Sequence, residues 1–367
     1  MTQPSIALRE LGDVSIDEWD ELAERVGVAP YLYGGFLSAW CQTMAAGATV
    51  NVATARRGAE LCGVLPLVAS RVSHFSPPRY GQVGAVADDE DTARLLWGRI
   101  FREVRPRSVR LGPVSRDALG LDPVRLAASD TGYTVRPQRL EEQPVVDCAT
   151  DWDTYLAGLS KNTRKDIRRR RRRLDERGEL TLEVSRGPDA LGADLNRAIA
   201  IEGSGWKGSQ GSAIRNSPSQ VAFYRRLSEW AAGRGALEIA FLTLDGQAIA
   251  MHYSVCFHDV LYALKSGFDE HHADLAPGTV VLAAEIERTF EEGRRRFHFA
   301  GQVADYKLRW ATGAESFDWV DIDAPGIGGN LTRWGRDGVR RARELRSRRA
   351  AVEVTPADGL AGRHHRS

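Results

Sequence analysis

The side chains best placed to do chemistry fall between Glu202 and Trp310. Trp206-Lys207-Gly208 follows Glu202 closely. Lys265 sits in the strand-like run LYALKSGF, and Pro277-Gly278 opens a helical stretch. His298 lies in RFHFAG, and Asp305, Tyr306, Lys307 and Arg309 crowd into ADYKLRW. The intervening segments read as two apolar strands around an Asp245-Gly246 turn, a third strand, a helix from Pro277-Gly278 and one further short strand. That is a sheet edge handing on to a helix N-terminus, where backbone N–H groups and the helix dipole favour negative charge. With a cationic loop beside it, such a site suits an acyl donor or a phosphate-bearing one.

Other chemistries find less support. His258-Asp259 and His271-His272 carry potential ligands, but their spacing fits no zinc pattern, and His364-His365 lies at a frayed end. No metal site is expected. The four cysteines, Cys41, Cys62, Cys148 and Cys256, are scattered without a C-x-x-C pair and read as buried thiols. Glu202-Gly203-Ser204-Gly205 lacks the spacing of a nucleophilic serine elbow, so direct attack by an acceptor is expected rather than a covalent intermediate.

The oddest composition is SKNTRKDIRRRRRRLDERG. Six consecutive arginines, from Arg168 to Arg173, wrap all round a helix. Only Leu156, Leu159, Ile167 and Leu174 offer an apolar stripe, so most of this helix must face water or an anion. A solvated face partly neutralised by Asp166, Asp175 and Glu176 is one reading. The other is a phosphate-binding surface using Arg164, Lys165, Arg168, Arg169 and Arg172, with salt-sensitive and sequence-independent affinity.

At 367 residues, 43% hydrophobic and 27% charged, the chain is globular and long enough for two domains. A net charge of +1 makes any polyanion affinity a matter of local clustering. No apolar run reaches membrane-spanning length, and the N-terminus shows no signal-peptide pattern. Together with the unpaired cysteines this gives a cytoplasmic expectation.

In chain order, residues 5–11 read as a strand, 15–26 as a helix with a Ser15/Glu18 capping box, and 36–46 as a second helix. Residues 49–68 form a hairpin turning at Arg57-Gly58. A helix over 91–105, a strand SVRLGPV, a helix over 117–129 and two strands, TGYTVRP and QPVVDCA, complete the first half. The second half starts with one long helix over 152–178. The strand LTLEVSR, helices over 188–202 and 218–233, a second hairpin over 236–257, the strand LYALKSGF, a helix over 278–293 and two closing strands follow. Two hairpins at similar places suggest a duplicated α+β unit. The expected division is a domain over 1–149, a second over 150–326, and a basic tail over 327–367 whose end is disordered.

SKNTRKDIRRRRRRL, IEGSGWKGSQGSAI, a hairpin, APGTVVLAAEIERTFEEG and FHFAGQVADYKLRW, in that order, resemble the acetyltransferase domain of CelD-like proteins. That group lies in the GNAT superfamily, close to the FemABX aminoacyltransferases. The resemblance covers 151–312; the first half is similar only to a degenerate partner unit. It implies an α+β fold of two tandem GNAT-like units, each a twisted mixed or antiparallel sheet flanked by helices. It implies acyl transfer from a thioester or aminoacyl-tRNA to an amine or hydroxyl. The donor is then a co-substrate, with no tightly bound cofactor. Tyr306-Lys307 matches the aromatic-lysine segment of FemABX members, which implies transition-state stabilisation by Lys307. Where many CelD-like sequences have Asp, this chain has His298.

Acyl transfer needs donors for an oxyanion and a path for a proton. Lys307 and Lys265 are candidates for the first, and Glu202, Asp305 and His298 for the second. Trp206, Lys207, Tyr306, Arg309 and Gly278 are candidates for holding substrate. Asp274-Leu275-Ala276-Pro277-Gly278 has one glycine where CoA-dependent enzymes carry a glycine-rich phosphate loop. That favours aminoacyl-tRNA, with tRNA as partner and a small-molecule or envelope-precursor acceptor. Acyl-CoA-dependent acetyl transfer is the alternative, and a non-catalytic RNA- or membrane-binding protein is the third reading.

Overall fold

The computed structural model describes residues 3–45, 47–69, 73–74, 82–116, 119–188, 191–204, 213–301 and 303–326. The first half opens with β1 (Ser5–Glu10), α1 (Ile16–Val26) and α2 (Gly34–Thr43). The hairpin of β2 (Thr49–Arg57) and β3 (Glu60–Ala69) follows, then short β4 (Ser73–His74) and β5 (Val86–Ala87). Next come α3 (Glu90–Arg99), β6 (Ser108–Ser115), α4 (Asp122–Thr131) and β7 (Thr134–Asp147). The second half runs α5 (Trp152–Gly158), α6 (Lys161–Asp175), β8 (Leu180–Ser185), α7 (Leu191–Ser204) and α8 (Pro218–Gly233). It continues with β9 (Leu237–Leu244), β10 (Gln247–Phe257), β11 (Val260–Phe268) and α9 (Pro277–Glu291), then β12 (Arg296–His298), α10 (Asp305–Leu308) and β13 (Gly313–Asp323). The fold is α+β.

Local chemistry fixes many of these boundaries. Ser15 accepts from the Glu18 backbone N–H at 3.3 Å and starts α1, and Gly27, at φ 76°, ends it. The β9–β10 turn places Asp245 at φ 50° and Gly246 at φ 77°, the left-handed pair that a tight hairpin requires.

Two expectations are corrected. The long helix over 152–178 is two helices. Gly158 is a poor helix former, and Ser160 offers a cap that accepts from the Thr163 N–H at 3.1 Å, so a new helix starts there. The two strands expected over 131–149 are the single β7. Pro137 does not end it, because the register against β13 jumps from Arg139 to Pro137 and Gln138 is bulged out.

The strands form two sheets. An antiparallel one runs β1-β2-β3-β5, and a mixed one runs β4-β6-β13-β7-β12-β11-β10-β9-β8. The last strands of the two halves are exchanged. β13 pairs antiparallel with β6 and β7 of the first half, and β7 pairs antiparallel with β12 of the second.

The largest hydrophobic cluster also joins the halves. Phe257 lies 4.7 Å from Tyr33 and stacks on Trp230 at 5.5 Å between ring centres. Buried Asp20 clamps the same seam, accepting from Gly35 N at 3.1 Å and Trp230 Nε1 at 2.7 Å. Gly35 in α2 packs so closely on α8 that an added Cβ would lie 2.0 Å from Trp230 Nε1. Gly35→Ala must therefore displace the indole and is expected to cost about 1–3 kcal/mol. Urea unfolding measures it, and an unchanged midpoint would contradict this packing.

Candidate active site

β11 and β12 run parallel and pair only through Val260–Arg296, Leu261–Phe297 and Tyr262–His298. β12 then stops while β11 continues to Phe268. A cavity of about 1000 Å³ opens in the wedge, the size of a large small-molecule site. Residues 263–268 of β11 form one wall, Phe299, Ala300, Lys307 and Trp310 the opposite one, and α6 and the start of α9 the rest.

The second wall is shaped by a sharp reversal after β12, with Ala300 at φ 48° and Gly301 at φ 64°. The Ala300 N–H donates to His298 Nδ1 at 3.0 Å, and its carbonyl accepts from Lys307 Nζ. The short α10 turns Lys307 inward, leaving it 8% exposed, and Tyr306 outward, 46% exposed. Burial lowers the Lys307 pKa to about 8. Near pH 7 it is thus a largely protonated, partly desolvated donor, which suits stabilisation of an oxyanion.

Across the cavity, Lys265 donates to Glu202 Oε1 at 3.2 Å, and the Ile214 N–H donates to Glu202 Oε2 at 2.9 Å. This buried ion pair joins β11 to α7. It requires glycine at 267, where a Cβ would lie 2.5 Å from the Glu202 Cα. Between these walls, α9 begins at Pro277 with Ala276 at φ 52° and no side-chain cap, and Gly278 and Thr279 line the cavity. An uncapped N-terminus of a 15-residue helix attracts negative charge.

α6 has two faces. Thr163, Ile167, Arg170 and Leu174, spaced 4, 3 and 4, turn inward, and the first three line the cavity. Asp166 bonds both Arg170 and Arg169 at 2.6 Å. Its burial acts to raise its pKa, but those two arginines outweigh it and hold the carboxyl below its usual range. Lys161, Lys165, Arg168 and Arg172 repeat the same spacing on the opposite, exposed face.

The cavity therefore gathers Glu202, Lys265, Gly278, Tyr306, Lys307 and Arg309 of the residues expected from sequence. Asp305 is exposed and outside its lining. His298 is fully buried behind the wall, its Nε2 3.4 Å from Glu315 Oε2 and its ring 5.1 Å from Tyr262. Trp206, Lys207 and the tail from 327 lie outside the described residues. Arg164 is turned back to the Ala157 and Leu159 carbonyls, where it caps α5. Arg169 pairs with Asp166, and Arg172 with Glu176 at 3.5 Å. Arg170 and His252, neither of them among the expected site residues, also line the cavity. Arg170 was hidden inside the arginine run, although its spacing from Ile167 and Leu174 marks the inward face. His252, on β10, had no sequence signal to tell cleft from core. Among the described residues no cluster of metal-ligating side chains forms, and no helix is long and apolar enough to cross a membrane.

Residues 161–308, which hold nearly all of this site, match the family described as the acetyltransferase (GNAT) domain. That segment thus carries a GNAT-type domain, and the chain as a whole has a FemX-like fold. FemX superposes with a TM-score of 0.57 over 86% of this chain and 96% of its own, at 11% identity. The C-terminal domain of a protein assigned as a lysylphosphatidylglycerol synthetase from Agrobacterium fabrum gives 0.55 over 87% and 94%, at 12% identity. L-PGS from Bacillus licheniformis gives 0.53 over 83% and 91%, at 11% identity. At these identities the likeness is one of fold. No curated protein sequence matches the chain significantly.

The lowered pKa of Lys307 makes a stability prediction. Between pH 8 and 10.5 the unfolded chain binds the proton that the folded chain has lost, so stability rises with pH in that window. The cost of the buried charge is full below pH 8. Lys307→Met is expected to be more stable than wild type at pH 7, by on the order of 1–3 kcal/mol. That advantage should shrink as pH rises towards 10.5. Urea titrations at both ends of the window check it, and a pH-independent difference would refute the assignment.

Proposed function

We propose that the protein transfers an aminoacyl group from aminoacyl-tRNA to an amine or hydroxyl of a small molecule or envelope precursor. The observation that carries this reading is the double face of α6. One side of the helix walls the cavity that holds Lys307, and the other presents the stripe Lys161, Lys165, Arg168 and Arg172. A helix is only about 10–12 Å across, so a tRNA lying on the stripe can bring its esterified end round into the cavity. Lys307 then meets the oxygen of the donor carbonyl as the acceptor attacks, and the Glu202–Lys265 pair and Arg309 orient the bound groups. The fold is shared with the C-terminal domain of a protein assigned as a lysylphosphatidylglycerol synthetase, a name that describes a lysyl group carried to a lipid, and this fits an aminoacyl group as the one transferred.

The second unit, 150–326, carries the chemistry, and the first, 1–149, supports it. A cytoplasmic place suits this donor. Acyl-CoA is the competing donor. The start of α9, which no side chain caps, favours it, because the positive end of a helix dipole attracts a pyrophosphate.

Titrating charged tRNA, deacylated tRNA and acetyl-CoA at two salt concentrations separates these readings. Binding that requires the esterified amino acid is expected. The triple variant Lys165→Ala, Arg168→Ala, Arg172→Ala should weaken tRNA binding. It should also flatten the salt dependence, by about one unit of slope for each phosphate that is no longer neutralised. Lys307→Ala should lower turnover by about 10²–10³ with donor binding retained. Acetyl-CoA binding with no preference for charged tRNA would sink the aminoacyl reading.

A further inference from the structure

Acyl transfer releases a proton from the attacking nitrogen or oxygen, and the residues expected from sequence to take it are badly placed. Asp305 is outside the cavity. His298 is behind its wall, with Nδ1 already accepting from Ala300 N. Both oxygens of Glu202 are engaged, by Lys265 and by Ile214 N. Asp166 is held ionised by two arginines. Lys307 keeps its own proton below about pH 8.

His252 stands in the cavity wall itself. It lines the cavity from the interior strand β10 and is only 4% exposed. Its cross-strand neighbours are Ser266 on β11, also in the cavity lining, and Ala240 on β9. Helix α9 packs against β10. Farther along the same face of β10 stands fully buried Ser254, and on α9 fully buried Glu285. Glu285 Oε1 accepts from Arg288 at 2.9 Å. Among the described residues, neither Glu285 Oε2 nor Ser254 Oγ has a hydrogen-bond partner. The Glu202–Lys265 pair and Lys307 line the same cavity. The cavity that this imidazole lines thus holds charged and polar side chains beside its apolar ones.

We propose that His252 is the base that takes the proton from the acceptor. The inference rests on the acyl-transfer reading. The acceptor nitrogen or oxygen attacks the donor carbonyl carbon, and its proton passes to a ring nitrogen of His252. When the tetrahedral intermediate collapses, the bond to the leaving oxygen or sulfur breaks. The proton then goes from the imidazolium to that leaving atom, which restores the neutral ring. Lys307 holds the oxyanion throughout and exchanges no proton.

The test follows release of the acyl group from mixed aminoacyl-tRNA and from acetyl-CoA, with ethanolamine and glucosamine as amine acceptors, from about pH 5 to 9. Wild-type kcat/KM should fall on the acid side in a single step within the range where imidazoles titrate. In His252→Gln, kcat should drop about 10²–10⁴-fold with the donor KM unchanged and the acid limb gone. Added imidazole should restore part of the rate in His252→Ala, which no merely structural role would produce. A variant that keeps the wild-type rate and acid limb overturns the proposal. So does a wild-type profile with no acid limb, and that measurement needs no variant to fold. Wild-type protein that releases neither donor, to amine or to water, overturns the acyl-transfer reading beneath it, a result distinct from both.

Discussion

The ladder between β7 and β13 is the interaction on which the rest of this molecule depends. It runs through eleven residue pairs, from Gly313–Val145 to Asp323–Thr134. At one end β7 pairs with β12, and along the far part β13 pairs with β6. Each half thus supplies the strand that completes the sheet of the other. The position of β12 follows from this pairing, and so does the point at which it parts from β11. The wedge, the reversal at Ala300 and the inward turn of Lys307 all follow from that parting. A cavity lined by second-half residues is held open by a first-half strand.

The same logic of opposite ends governs α9. Its C-terminal turns are tied down by charge. Arg288 bonds Glu285, Glu292 and Glu238, and Glu238 is also held by Arg294. Burial works to raise the Glu238 carboxyl, but the two arginines prevail and keep it below its usual range. Removing one member of such a buried network leaves an uncompensated charge, so these groups fix the helix in place more than they stabilise the fold. With that end anchored, the other can remain uncapped and face the cavity without fraying.

Much of this was legible in the residues. Turn chemistry gave both hairpins, capping gave α1, and the order of the cationic, aromatic and glycine segments from Ser160 to Trp310 gave the cavity neighbourhood. What sequence could not convey was direction. A strand residue faces one side or the other, and nothing in RFHFAG or AIAMHYSV says which side a wedge will open on. His298 therefore read as a site residue and is core, whereas His252 was ambiguous and lines the cavity. The break at Gly158–Ser160 was visible as a glycine and a capping serine but was outweighed by the helical composition around it. The exchange of β7 and β13 had no local signal, since it is a pairing between segments more than 160 residues apart.

That exchange bears on how the chain is made. When residues up to β7 have been synthesised, the first half has its helices and only its own share of the hydrophobic core, and it lacks the strand that belongs between β6 and β7. Both edges stay unsatisfied until β13 emerges, on the order of tens of seconds later at ordinary translation rates. For that interval the nascent protein carries two open strand edges, the feature that folded proteins normally cover to avoid pairing with another chain. On one message, a ribosome that has just made β13 would hold out the strand able to fill the slot still open on the chain behind it.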